Sequence, residues 1–325
     1  MSIYTVSVMS YIEVQTINNT EYASFVKKFS FMGKKFRIKD HIGKNISTLD
    51  PKEYVKNNFH ELSNKELNLR KEFLDSLDLT YNQNLIYQNE LTSIEMNNLL
   101  EIKDIKDLIL IDFAKEFIFN SNNIEGSKIP AEEVKKIIET GNSTYENRNE
   151  IKEVYTSIDA FNYIQKGFKF NISSIKRFYY ILTKNMTMSN GGSYPKGFKK
   201  VENVVNNEST VHPDFVEKAL TNLHDEYKTI KKTEYPFKLA FDFHLKYEHI
   251  HPFIDGNGRT GRLIMNKILM SNGYFPIIIY KDNAKAYFNA ISQGLKTKSK
   301  KKYYQFMFEQ TKKTYDSFLE KIESF

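Results

Sequence analysis

The chain contains no cysteine. Disulfides, thiolate metal sites and cysteine nucleophiles are therefore excluded, and the absence fits a reducing compartment. Arginine is scarce, occurring only at positions 37, 70, 148, 177, 259 and 262, so the basic balance rests on lysine. No apolar run approaches the roughly 20 residues that a bilayer span needs. Residues 1–14 lack a charged n-region and a long apolar stretch, so no signal peptide and a cytoplasmic location are expected. No Gly-x-x-x-x-Gly-Lys-[Ser/Thr] occurs, which excludes a P-loop. Internal repeats and long flexible linkers are absent as well.

What remains is a 325-residue chain with 40% hydrophobic and 14% aromatic residues, enough for a sizeable core. The net charge of +7 reads most simply as a solvated lysine surface, with a nucleic-acid surface as the alternative. Segments 3–16, 21–31 and 35–39 mix β-branched and aromatic residues around turn signals at Asn18-Asn19 and Gly33, predicting a small antiparallel β unit over 1–47. From Asp50-Pro51 the period becomes helical, and 48–104 reads as a helical adaptor. Within it, 52–57 and 64–77 are helices and 79–91 is irregular. Thr92 or Ser93 is placed to cap 94–100, and Asp104 to cap the run that follows. The remainder, 105–325, is mainly helical, broken by a Gly/Pro-rich loop at 191–201, a short hairpin turning at Asn206-Asn207, and an apolar extended run at 274–280. The fold class is mainly α, preceded by the β unit.

One stretch concentrates chemistry: His251-Pro-Phe-Ile-Asp255-Gly256-Asn257-Gly258-Arg259-Thr-Gly-Arg262, between two helix-period runs. A glycine-rich loop feeding a helix N-terminus offers unpaired N–H groups and a positive dipole end to an anion. Two of the six arginines stand beside it. The embedded Gly256-x-Gly258-x-x-Gly261 imitates a dinucleotide fingerprint, but the preceding segment is helical and ends in His-Pro instead of a buried strand. A zinc site from His244, Glu248, His249 and His251 lacks the paired His-x-x-x-His face, so His244 and His249 read as structural or surface residues.

The same twelve residues resemble the signature of the Fic (filamentation induced by cAMP) family, His-Pro-Phe-x-[Asp/Glu]-Gly-Asn-Gly-Arg-x-x-Arg, without departure. The likeness reaches over about 105–325 and leaves the first hundred residues uninformed. It implies a Fic-type helical domain that transfers AMP from ATP to Ser, Thr or Tyr hydroxyls of a target protein, with Mg²⁺. It also implies a target bound along a flap hairpin at 197–212. By resemblance His251 is the general base and Asp255 the Mg²⁺ ligand. Gly256, Asn257 and Gly258 form the phosphate cradle, Arg259 steadies the phosphates, and Arg262 clamps the γ-phosphate.

Ser121-Asn-Asn-Ile-Glu125-Gly126 resembles the family's inhibitory motif, [Ser/Thr]-x-x-x-Glu-[Gly/Asn], lying ahead of the catalytic segment over 113–127. The resemblance implies that Glu125 pairs with Arg262 and denies it to ATP. Alternatives remain: removal of AMP from a modified protein with Glu125 positioning a water, another nucleotide donor, or, in a different class, nucleic-acid binding through the basic N-terminal unit. Self-association is left open.

Overall fold

Alternating β-branched and aromatic residues produce an antiparallel meander of β1 (Met9–Ile17), β2 (Thr20–Phe31) and β3 (Lys34–Lys44), with β2 central. The computed structural model describes residues 9–44, 46, 49–188, 191–205 and 208–325, so residues 3–8 of the first expected strand lie outside it. Both hairpins turn on two residues at positive φ, Asn18-Asn19 (49° and 56°) and Met32-Gly33 (47° and 79°), as tight hairpins of right-handed twist require. On β3, Arg37 and Lys39 both pair with Glu13 of β1, at 2.7 and 2.5 Å, which neutralises part of the basic face.

The adaptor consists of α1 (Pro51–Asn57), α2 (Phe59–Asp75) and α3 (Gln83–Lys103). Two expectations fail here. The stretch 79–91 is not a break before a helix at 94: a single helix starts at Gln83, capped by the Asn82 side chain on the Asn84 N–H, and Thr92 lies inside it, donating to Gln88 O. Asp104 does not cap the next helix. It takes a left-handed conformation (φ 53°, ψ 34°) and closes α3.

The next helices are α4 (Lys106–Ile124), α5 (Ala131–Thr140), α6 (Arg148–Lys166) and α7 (Ile172–Thr183). The expected hairpin is reduced to β4 (Val204–Val205) and β5 (Glu208–Ser209), and its turn at 206–207 lies outside the described residues. Then come α8 (Val216–Ile230), α9 (Pro236–Ile250), α10 (Asn257–Ser271), α11 (Ala284–Lys296) and α12 (Lys301–Ser324). One apolar core runs from Phe25 to Ile322 and crosses both expected boundaries, at 47 and at 104.

The apolar run 274–280 is extended and buried but pairs with no strand. Buried backbone must still be hydrogen-bonded, and helix side chains supply the partners. Asn266 accepts from Ile277 N (2.8 Å) and donates to Ile277 O (2.9 Å), Thr314 Oγ1 accepts from Ile278 N (3.0 Å), and Gln310 Oε1 accepts from Tyr280 N (3.2 Å). Replacing Asn266 by Leu leaves a buried donor and acceptor unpaired, at a cost of about 2–4 kcal/mol. A chemical-denaturation midpoint unchanged in Asn266→Leu would show that this segment draws no support from α10.

Candidate active site

The loop 251–256 joins α9 to α10 and is held from three sides. His251 ends α9 in a left-handed conformation (φ 46°, ψ 63°), a strained backbone for a side chain of its size. Phe253 is fully buried and stacks on Tyr179 of α7 at 4.1 Å and 4°. Asn257 accepts from Phe253 N and donates to Phe253 O, both at 2.9 Å, closing the loop into a ring. Asn257 was expected to bind nucleotide. Its side chain also holds the loop, using Oδ1 and one Nδ2–H, which leaves the second Nδ2–H and the backbone N–H for an anion. Gly256 opens α10 at φ 75°, leaving the first N–H groups of that helix without helical partners.

His251 is mostly buried, and its Nδ1 has no hydrogen-bond partner. Burial first, then the nearby Lys199 ammonium, push the imidazole down to about 4, so the ring is neutral at physiological pH. Lys199 is itself buried without a carboxylate. Its Nζ donates to Asn203 Oδ1 (2.7 Å), Thr210 Oγ1 (2.6 Å) and Ile250 O (3.2 Å), which fastens the flap to the end of α9. Burial lowers that ammonium to about 8.

Asp255 stands half exposed at the mouth of the loop, accepting from the Tyr194 hydroxyl (2.7 Å) and from Gly256 N (2.5 Å). A carboxylate with lone pairs to spare suits a hard divalent cation that takes its other ligands from phosphate and water. Among the described residues no cluster of three or more His, Asp or Glu offers an all-protein metal cage. Arg259 is buried between Asp255 (4.0 Å) and Glu153 of α6 (3.7 Å, from Nη1), both beyond hydrogen-bond reach, so its Nε and Nη1 make no hydrogen bond. Desolvation raises the Glu153 carboxyl, with Arg259 opposing.

Arg262 is 1% exposed and grips the end of α4. Its Nε donates to Ser121 Oγ (3.0 Å), and its Nη2 donates to Ser121 O (2.9 Å) and Glu125 Oε1 (2.7 Å). The pairing with Glu125 outweighs burial and holds the guanidinium above its ordinary value. Glu125 follows the last helical residue of α4, and Gly126 at φ 108° turns the chain away. The end of α4 is fixed by Ser157 Oγ donating to Asn122 Oδ1 (3.0 Å) and Lys281 N donating to Asn120 Oδ1 (3.0 Å). A Cβ on Gly258 would strike the Glu125 carboxylate and stand 2.9 Å from Arg262 Nη1.

Residues 169–269 match the model of the Fic/DOC family. Over that segment the chain is similar to Fic domains. It is 28% identical over 235 residues to a protein adenylyltransferase Fic of Nematostella vectensis, covering 70% of this chain and 51% of that one, so it spans about half the length of that curated relative. In fold it is similar to a Fic family protein from Desulfovibrio desulfuricans (TM-score 0.62, 21% identity, 73% of this chain and 74% of that one). A Fic domain containing signaling protein from Bacteroides thetaiotaomicron gives a TM-score of 0.60 at 19% identity, over 81% of this chain and 97% of the other.

The loop and the first turns of α10 thus bring His251, Asp255, Arg259 and Arg262 together with Ser121 and Glu125, which lie over a hundred positions earlier in sequence. Sequence reasoning did not single out Tyr194, Lys199 or Glu153. Tyr194 was embedded in a loop marked only by glycines, and Glu153 is one carboxylate among many on a charged helix. Two measurements check the geometry. Gly258→Ala costs about 1–3 kcal/mol by overpacking and costs less in a Glu125→Gly background, so equal costs would remove the clash. In an NMR titration of the full chain, the His251 ring stays neutral to below pH 5, and a midpoint near the ordinary 6.5 would place it in solvent.

Proposed function

We propose that this chain is a protein adenylyltransferase that moves AMP from ATP to a hydroxyl side chain of a target protein, and that Glu125 holds its resting state off. The relatives named as adenylyltransferases support the reaction class. The observation that carries the inhibitory part is the Arg262–Glu125 pair at 2.7 Å, placed where the α10 N-terminus would receive phosphate.

ATP phosphates would take the free N–H groups at the start of α10, with Arg262 on the γ-phosphate and the unpartnered donors of Arg259 alongside. Asp255 would hold a Mg²⁺ ion, which when bound supplies charge neutralisation on the phosphates. His251, neutral and desolvated, takes the proton of the target hydroxyl at Nε2. The hydroxyl oxygen bonds to the α-phosphorus, and the bond to the leaving pyrophosphate breaks. Catalysis here is positioning and charge stabilisation.

Arg262 cannot serve the γ-phosphate while Glu125 occupies it, and a buried guanidinium is costly to leave unpaired. Glu125 and ATP therefore compete for one cation. The target would dock along the flap at 197–212, where Val201 and Val204 are exposed (58% and 65%) and the short strands offer a free edge.

Glu125→Gly should raise ATP-dependent AMP transfer, self-labelling included, by about 5–150-fold, the range of ordinary coupling free energies. Adding His251→Ala should abolish it. Transfer is followed by intact-protein mass spectrometry and Mg-ATP binding by calorimetry. A Glu125→Gly protein that binds Mg-ATP no better and labels nothing would remove the inhibitory assignment.

A further inference from the structure

Behind the base lies a buried carboxyl group that the proposed reaction does not use. Glu248, one turn before His251 on α9, is 3% exposed. Its Oε2 lies 3.8 Å from Nδ1 of His251, and its Oε1 lies 3.8 Å from Nδ1 of His244. Both nitrogens and Oε1 lack a well-formed hydrogen bond, the backbone of Glu248 lying near the His251 ring and that of Gly261 near His244, so three buried polar atoms face one another. The His244 ring is anchored on its far side, its Nε2 sharing a hydrogen bond with the Tyr287 hydroxyl at 2.8 Å. The Tyr287 ring lies under the Arg262 guanidinium at 5.8 Å.

Space for this carboxyl is built in. A Cβ on Gly261 would stand 2.7 Å from Glu248 Oε1 and 3.0 Å from His244 Nδ1. An ordinary surface carboxylate needs no such vacancy, and burying one without a function costs free energy.

We propose that Glu248 is the positioning residue of His251: its Oε2, 3.8 Å away at rest, closes by about 1 Å to accept the Nδ1–H, which fixes the tautomer whose bare Nε2 faces the incoming hydroxyl. The inference rests on the transferase reading for its consequence, but the tautomer is a property of the resting protein. The arrangement holds in either protonation state of the carboxyl. Burial pushes Glu248 up to about 8 against the pull of Arg262, and a protonated carboxyl still keeps one carbonyl oxygen as acceptor for His251. Its O–H is then directed at His244 Nδ1, which burial and Arg262 keep unprotonated, down to about 3. The groups facing Glu248 are His244 and Tyr247 on its own helix, His251 at the helix end, Arg262 of α10, Glu125 beyond α4 and Tyr287 of α11. A histidine ring in the wrong tautomer presents a donor where the base is needed, which is how an orienting acceptor controls rate without touching substrate.

The test uses the full chain with ¹⁵N-labelled histidine. Two-bond ¹H–¹⁵N spectra at pH 7.5, with His251→Ala to assign the ring, should show His251 protonated at Nδ1 in the unsubstituted protein. Glu248→Gln, whose amide can donate as well as accept, should shift it toward the Nε2–H form. In the Glu125→Gly background the same substitution should lower kcat for ATP-dependent self-labelling roughly 10–100-fold, with KM for ATP within about twofold. An Nε2–H tautomer in the unsubstituted protein overturns the proposal without any variant at 248. So does a tautomer and kcat unmoved by Glu248→Gln. If Glu125→Gly labels nothing, the transferase reading fails while the spectra still decide the role of Glu248.

Discussion

A guanidinium buried as deeply as that of Arg262 must have its charge answered inside the protein, and much of the site follows from that requirement. Ser121 and Glu125 answer it from one side, the Tyr287 ring lies beneath it, and Glu248 lies behind. Two glycines three residues apart make room for two carboxyls. A side chain at Gly258 would meet Glu125, and one at Gly261 would meet Glu248. Glycine in this loop therefore does more than bare backbone N–H groups for an anion. It is also a packing requirement of the arginine's partners, so substitutions there act on charge as well as on shape.

The local parts of this arrangement were legible in the sequence. The twelve-residue stretch carries its own chemistry, and Ser121 and Glu125 gain meaning once Arg262 is in view. The fold class was legible for the same reason, because period and turn residues are local signals. Long-range pairings were not. Stretch 79–91 looks irregular because its asparagines favour turns in isolation, yet Asn89 is buried inside α3, donating to Leu85 O and Phe308 O. The run 274–280 reads like a strand because it is apolar and β-branched, but its backbone partners are side chains of α10 and α12. The zinc reading grouped His244, Glu248 and His251 correctly in space and assigned them the wrong chemistry. Spacing shows that side chains share a face and is silent on what they hold.

The first hundred residues, which the family likeness left unread, are tied to the helices that carry the candidate site by buried charge. Lys27 of β2 meets Glu66 of α2 at 2.6 Å and Asn98 of α3 at 2.6 Å. Arg70 pairs with Glu66 and Glu90, and Glu90 accepts from Tyr235 at the head of α9 (2.9 Å) and from Tyr274 beyond α10 (2.7 Å). Removing one member of a buried ion pair costs about 3–5 kcal/mol. The sheet is therefore not a loosely attached basic arm, and displacing it would strain the helix that ends in His251.

If Glu125 is inhibitory as proposed, how firmly it closes the site depends on what must move to free Arg262. The end of α4 is pinned from two sides, through Asn122 to α6 and through Asn120 to the segment before α11. The Glu125 side chain itself lies past the last helical turn and is 27% exposed. Release therefore needs a side-chain rotation and not a displacement of the helix. The direct loss is one charge-assisted hydrogen bond, about 1.5–3 kcal/mol, since Ser121 stays in place to hold Nε and Nη2. An incoming γ-phosphate, on that reading, would restore a comparable bond to the same guanidinium. On the proposed reading the two occupants would be closely matched, and inhibition built this way would be graded: nucleotide concentration, or a partner that turns Glu125 outward, would shift the balance without refolding any element.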